Sequence, residues 1–195
     1  MALRTTCDSA TSQLVCVTGD PARARLRGLG AGTYYVIAES SSGSGYTLRL
    51  DTTTPPSVTV PVTGNEACAT AYDIPETGGV FTGDTTSMAN DYTTSAASLC
   101  GSGAASADAA FRLTLTARRR VVLSTEGSAY DTVLHVHRDA CVSGAELYCD
   151  DDGGAGATSL LDRVLDAGTY YVIVDGFGAG SRGAYVLDVL VTDPA

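Results

Sequence analysis

The sequence predicts an all-β protein, an antiparallel two-sheet β-sandwich in which one complete unit is preceded by the C-terminal half of another. Three observations carry this prediction. Helical periodicity is nearly absent, while short runs of alternating apolar and polar residues recur between clusters of Gly, Ser, Asp and Pro; a period of two marks a half-buried strand. A segment occurs twice: Gly32-Thr33-Tyr34-Tyr35-Val36-Ile37 repeats Gly168-Thr169-Tyr170-Tyr171-Val172-Ile173, and Gly45-Tyr46-Thr47-Leu48 echoes Gly183-Ala184-Tyr185-Val186-Leu187. Cys7 and Cys16 stand before the first copy much as Cys141 and Cys149 stand before the second. Nothing before Cys7 matches residues 65–136, so the chain reads as one and a half units of a longer tandem array.

Taken in order, strands are expected near residues 14–17, 24–27 and 33–39, then one in which Tyr46, Leu48 and Leu50 face away from Thr47, Arg49 and Asp51. From Asp51 to Ser57, two prolines in a β-branched polar run make a stiff extended linker that neither helix nor central strand tolerates. The expected domains are residues 1–54, a linker at 55–64 and the complete sandwich at 65–195; residues 58–62 either continue the linker or begin an edge strand. Further strands fall near residues 79–83, 111–116, 120–125, 132–138, 160–165 and 169–175. A last strand, with Tyr185, Leu187, Val189 and Val191 on one face, is expected to follow residues 169–175 as a hairpin. Residues 95–108, rich in Ala, Ser and Gly, read as a surface loop tied down by Cys100. Many short strands with one apolar face specify a two-sheet sandwich.

The chain has 195 residues, enough for a substantial core, and a formal charge of -10, its 12 basic residues all being Arg. Such acidity repels phosphate backbones, which argues against nucleic acid as a partner. It suits an extracellular protein or one that offers oxygen ligands to hard cations. No segment reaches the length of about 18 apolar residues needed to span a membrane, and residues 1–6 have no apolar signal region. If the protein is exported, the signal lies upstream or has been removed. Six cysteines can pair in 15 ways; the repeat favours Cys7 with Cys16, Cys68 with Cys100 and Cys141 with Cys149. Zinc is the rival reading, but none of these cysteines has the close spacing of structural zinc sites. Disulfides imply an oxidising compartment, hence a secreted or cell-surface location.

The acidic run Asp150-Asp151-Asp152 lies between Cys149 and a Gly-rich turn, where a flexible backbone can aim several oxygens at one point. Three adjacent like charges repel, and Ca²⁺, which takes six to eight oxygens at about 2.3–2.6 Å, removes that cost. Asp131 at the start of one strand and Asp175 at the end of another are expected to complete the site; the alternative is a solvated turn whose Asp side chains cap backbone amides. The first copy has Val17-Thr18-Gly19-Asp20 at this place, so only the complete unit is expected to bind calcium there. His135 and His137, two apart on a strand, share a face and offer a zinc or copper pair. Leu134 and Val136 claim the core face, so the reading preferred for both histidines is a solvated strand face. The cluster Arg118-Arg119-Arg120 is expected to compensate nearby carboxylates or to blunt a strand edge. In the pairs Tyr34-Tyr35 and Tyr170-Tyr171 one ring of each is expected in the core, with the outward ring free to stack on a sugar or pack against a neighbouring module. The sequence contains no G-x-S-x-G, no H-E-x-x-H and no phosphate loop before a helix.

The pattern Tyr130-Asp131-Thr132-Val133-Leu134, Cys141, Cys149-Asp150-Asp151-Asp152, Ser159, Ala167-Gly168-Thr169-Tyr170-Tyr171-Val172, Val174-Asp175-Gly176 and Gly183-Ala184-Tyr185 resembles the bacterial pre-peptidase C-terminal domain, in its cysteine-containing form. Asn65-Glu66-Ala67-Cys68, with Ala71 and Ile74, resembles the start of that family, and residues 1–54 match only its later part. The resemblance implies a jelly-roll-like sandwich, export and no catalysis of its own. It extends to collagen-binding modules of bacterial collagenases, some of which bind calcium, although no residue pattern here specifies collagen. The expectation is a non-catalytic, calcium-stabilised accessory module that spaces or anchors other domains of its parent protein. The alternative is a surface array that self-associates or binds polysaccharide or extracellular protein; a carboxylate-dependent hydrolase is the more distant one.

Overall fold

The structure is a computed structural model that describes every residue except 20, 21, 25, 27, 28, 41, 42, 44, 51, 53–58, 95–99, 101–105, 143, 144 and 195. Residues 55–58 of the linker expected at 55–64, much of the loop expected at 95–108, and part of the strand expected at 24–27 lie outside the described residues. The chain divides into two compact units, Met1–Pro55 and Pro56–Ala195.

The larger unit is a sandwich of two five-stranded sheets. One has the order β10-β9-β12-β7-β5 and the other β11-β8-β13-β6-β4. The strands are β4 (Thr59–Pro61), β5 (Tyr72–Ile74), β6 (Gly79–Asp84), β7 (Ala109–Leu115), β8 (Arg119–Ser124), β9 (Thr132–Arg138), β10 (Glu146–Asp150), β11 (Leu160–Leu165), β12 (Gly168–Gly176) and β13 (Ala184–Thr192). Successive strands cross from one sheet to the other, the hairpin of β9 and β10 excepted. Within the segment expected as linker, Thr59–Pro61 is therefore an edge strand. Two edge pairings, β4 with β6 and β5 with β7, are parallel, so the sheets are mixed rather than wholly antiparallel. Each of these pairs is joined by a long crossover through the opposite sheet, which parallel pairing requires.

Alternation builds the core. Phe111, Leu113 and Leu115 of β7 face inward with Tyr170, Val172 and Val174 of β12, Leu134 and Val136 of β9, and Tyr185, Leu187 and Val189 of β13. Phe111 lies 5.9 Å from Phe81 and 6.0 Å from Tyr185, centroid to centroid, and Tyr72 closes the cluster at 5.4 Å from Phe81. Rings at these separations add edge and offset contacts to their buried area. The Tyr185 hydroxyl is matched by Asn65, whose Nδ2 donates to it at 3.3 Å and to the Ala110 carbonyl at 3.2 Å.

The repeated pair of segments is not a hairpin. β12 lies in one sheet between β9 and β7, while β13 lies in the other between β6 and β8. This explains the smaller unit, whose sheet has the order β2-β1-β3, with β1 at Ala2–Arg4, β2 at Gln13–Cys16 and β3 at Tyr35–Ile37. That order matches β10-β9-β12, which makes β1 the counterpart of β9 and corrects the expectation that nothing before Cys7 answers to residues 65–136. The echo of β13, with Tyr46, Leu48 and Leu50, forms no strand, and those side chains are exposed. Its counterpart is held by β6 and β8, and the described residues of the smaller unit contain no equivalent of either.

The cysteines pair otherwise than the repeat favoured. Cys68 bonds Cys141 and Cys100 bonds Cys149, with Cα–Cα separations of 6.3 and 6.0 Å. Cys7 and Cys16 are exposed free thiols. Each closing-half cysteine of the complete unit thus bonds a partner from the opening half, and in the smaller unit the cysteines that correspond to Cys141 and Cys149 have no such partner.

Candidate metal centre

The acidic run splits by function. Asp150 ends β10 and turns its carboxylate back on the following loop: Oδ2 accepts from the Gly153 amide at 2.9 Å and from the Leu160 amide at 2.7 Å. A Cβ on Gly153 would come within 2.5 Å of that carboxylate, which is the local reason for glycine there. The loop closes further through the Gly154 amide on the Thr158 carbonyl at 2.7 Å. Its base is a buried hydroxyl network, in which Thr125 and Thr132 share a hydrogen bond of 2.6 Å and Ser159 Oγ donates to the Thr132 carbonyl at 2.8 Å.

Closing the loop in this way brings Asp151 and Asp152 to Asp131, which precedes β9. One ligand oxygen from each of the three lies within 4.8 Å of the others. Oδ1 of Asp131 and Oδ1 of Asp151 are buried without a hydrogen-bond partner, although both side chains are only half-buried overall. Burial, and then the charges of Asp152, Asp131 and Asp150, push the Asp151 carboxyl up to about 6. Burial and Asp152 raise Asp131. Burial also raises Asp150, against the opposing pull of its two backbone donors. Of the five expected ligands, the structure therefore gathers Asp131, Asp151 and Asp152, uses Asp150 to shape the loop, and puts Asp175 elsewhere.

Asp175 is fully buried on the outer face of the first sheet. Its carboxylate accepts from the backbone amides of Gly176, at 2.6 Å on Oδ1, and Ser106, while Oδ2 is left without a hydrogen-bond partner and lies 3.6 Å from His135 Nε2, which also has none. The same face carries His137, and both histidines are 0% exposed, so the solvated strand face expected for them is not what forms. The cover comes from the segment read as a surface loop. Cys149 lies opposite His135 in the β10–β9 ladder and bonds Cys100, and Cys100, Ser106, Ala107 and Asp108 are all buried. Asp108 Oδ2 accepts from the amides of Asp91 and Tyr92, each at 2.9 Å. Burial pushes the carboxyls of Asp108 and Asp175 up to about 7 and the imidazole of His135 down to about 4. These shifts all oppose ionisation, so the contact of His135 with Asp175 is not a strong ion pair.

His135 Nδ1 and His137 Nε2 are 2.7 Å apart, and His137 Nδ1 donates to the Val142 carbonyl at 3.0 Å. Glu146 pairs with His137 in the ladder and brings a carboxylate oxygen within 4.8 Å of a nitrogen of each ring. The sequence showed the i, i+2 spacing of the histidines; Glu146 carried no signal there, because its approach depends on the β9–β10 register.

The three arginines behave as expected of compensating charges. Arg120 grips Asp162 with Nε–Oδ1 at 2.9 Å and Nη2–Oδ2 at 2.8 Å, Arg119 meets Asp193 and Glu76, and Arg118 lies 3.6 Å from Asp166. Tyr170 is the core member of its pair. Among the described residues, no helix is long and apolar enough to cross a membrane.

No family model matches the chain, and no curated protein matches it. Among solved structures it is similar to the pre-peptidase C-terminal domain of collagenase from Bacillus anthracis, with a TM-score of 0.40 and 10% identity over 70% of this chain and 99% of that one. It is also similar to PliG of Aeromonas hydrophila, a periplasmic lysozyme inhibitor of g-type lysozyme, with a TM-score of 0.40 and 16% identity over 69% of this chain and 96% of that one.

Proposed function

We propose that the larger unit is a non-catalytic, calcium-stabilised module of an exported protein, which spaces or anchors the other domains of its parent. One observation carries the calcium reading: Asp131, Asp151 and Asp152 converge from two segments, with two of their oxygens buried and unpartnered. Three carboxylates form an all-oxygen donor set of the kind a hard cation takes, with loop carbonyls and water to complete the shell. Two disulfides support export to an oxidising compartment. The smaller unit is read as the closing half of a second sandwich, supported by its β2-β1-β3 order and by the positions of Cys7 and Cys16.

Calcium is expected to raise the melting temperature of the chain, and Asp151→Asn with Asp152→Asn to abolish the rise. At a calcium concentration 100 times the dissociation constant the added stability is about 2.7 kcal/mol. The rise should be larger at pH 7.5 than at pH 5, because Asp151, pushed up to about 6, must lose its proton to bind. A melt indifferent to both excess calcium and chelator would remove metal binding at this loop from the account.

A further inference from the structure

We infer that His135, His137 and Glu146 form a second cation site, distinct from the acidic loop and suited to zinc. The argument is a count of protons on four ring nitrogens. The Val142 carbonyl can only accept, so His137 Nδ1 carries a proton and its Nε2 presents a lone pair. In the metal-free pair His135 Nδ1 donates to that lone pair across 2.7 Å. A neutral His135 then has a bare Nε2 facing Asp175 Oδ2, and at 3.6 Å even a protonated carboxyl there is too far to donate to it, so both atoms stay fully buried and unpartnered. A buried polar group left in this way calls for a specific explanation. Moving the His135 proton from Nδ1 to Nε2 turns an N–H toward Asp175, but leaves two lone pairs facing each other, and a divalent cation is the group that accepts two such pairs.

The metal-bound state therefore satisfies all four nitrogens. His137 Nε2 and His135 Nδ1 bind the ion, Val142 and Asp175 hold the outer N–H of each ring, and Glu146 supplies an oxygen. Outer N–H groups held by a carbonyl or a carboxylate are the usual support of metal-bound histidines. Two nitrogens at about 2.05 Å in tetrahedral geometry stand about 3.3 Å apart, so the rings must separate by about 0.6 Å. Asp175 Oδ2, 3.6 Å from His135 Nε2 in the metal-free structure, must also close by a few tenths of an ångström to hold that N–H. Two nitrogens and one carboxylate suit zinc rather than calcium. The site borders edge strand β10, where Glu146 is half-buried and Leu147 is exposed.

The test uses the full chain with Cys7→Ser and Cys16→Ser, which removes two exposed thiols that bind zinc themselves. One zinc ion per chain should be retained after dialysis, and cobalt(II) should give four-coordinate visible bands without a thiolate charge-transfer band. His135→Gln or His137→Gln should weaken zinc binding by about 100-fold, and Asp175→Asn by about 10-fold or more, with the folded melt preserved by the disulfides. Asp151→Asn with Asp152→Asn should leave zinc binding unchanged, which separates this site from the calcium loop. The inference is overturned by a chain that retains no zinc and gives no cobalt bands, a measurement that needs no histidine variant, or by zinc binding that persists in both histidine variants.

Discussion

Two disulfides crosslink the opening half of the larger unit to its closing half. The oxidised chain, digested without reduction, should yield one peptide pair joining Cys68 to Cys141 and another joining Cys100 to Cys149, while Cys7 and Cys16 alkylate freely. The closed loops span 73 and 49 residues, and loop entropy assigns about 4 kcal/mol to each crosslink taken alone. The loops interleave, since Cys100 lies inside the first and Cys149 outside it, so the second crosslink acts on an already restricted chain and the two contributions do not add. Replacing Cys100 and Cys149 with Ala should therefore cost up to about 4 kcal/mol in denaturant unfolding and lower the melting temperature by about 10–15 °C for a unit of this size. Loss of that bond also frees the segment that buries His135 and Asp175, so amide exchange along β9 and β12 should rise more than along β8 and β13. A peptide joining Cys68 to Cys100 or Cys141 to Cys149 would refute the topology, and a cost below about 1 kcal/mol would refute the role given to the covering segment.

Two further outcomes follow from buried groups. Asp108, pushed up to about 7 by burial, stays protonated in the folded chain while the unfolded chain loses that proton near pH 4. The folded state then binds more protons, so the Asp108 contribution to stability falls as pH rises from about 4 to about 7 and is fully unfavourable above that. Asp108→Asn should therefore gain on the wild type by about 2–4 kcal/mol between pH 4 and pH 8 in chelator; parallel pH profiles would contradict the buried-carboxyl account. Gly83 lies opposite Tyr185 in the β6–β13 ladder, and a Cβ there would overlap the tyrosine ring and hydroxyl. Gly83→Ala should cost about 1–3 kcal/mol through overpacking, and a thermal melt equal to the wild type would show that the ring can move aside.

The strands of the larger unit were legible because alternation is a local property. Phe111, Leu113 and Leu115 against Arg112 and Thr114 identify an inner and an outer face without reference to any neighbour. The acidic loop was legible for the same reason, as was its dependence on glycine, since Asp150, Asp151, Asp152 and Gly153 are adjacent in the chain. Partnership was not legible. Whether β12 pairs with β13 or crosses to the other sheet, whether Cys141 bonds Cys149 or Cys68, and whether the outer face of β9 meets water or a covering segment depend on residues tens of positions apart. Alternation assigns each strand two faces but does not say what lies against the second one. His135 and His137 looked solvent-facing and Asp175 looked like a calcium ligand at a strand end for that reason, and only the crosslink from Cys149 to Cys100, with Ser106, Ala107 and Asp108 buried beside it, turned them into a buried polar layer.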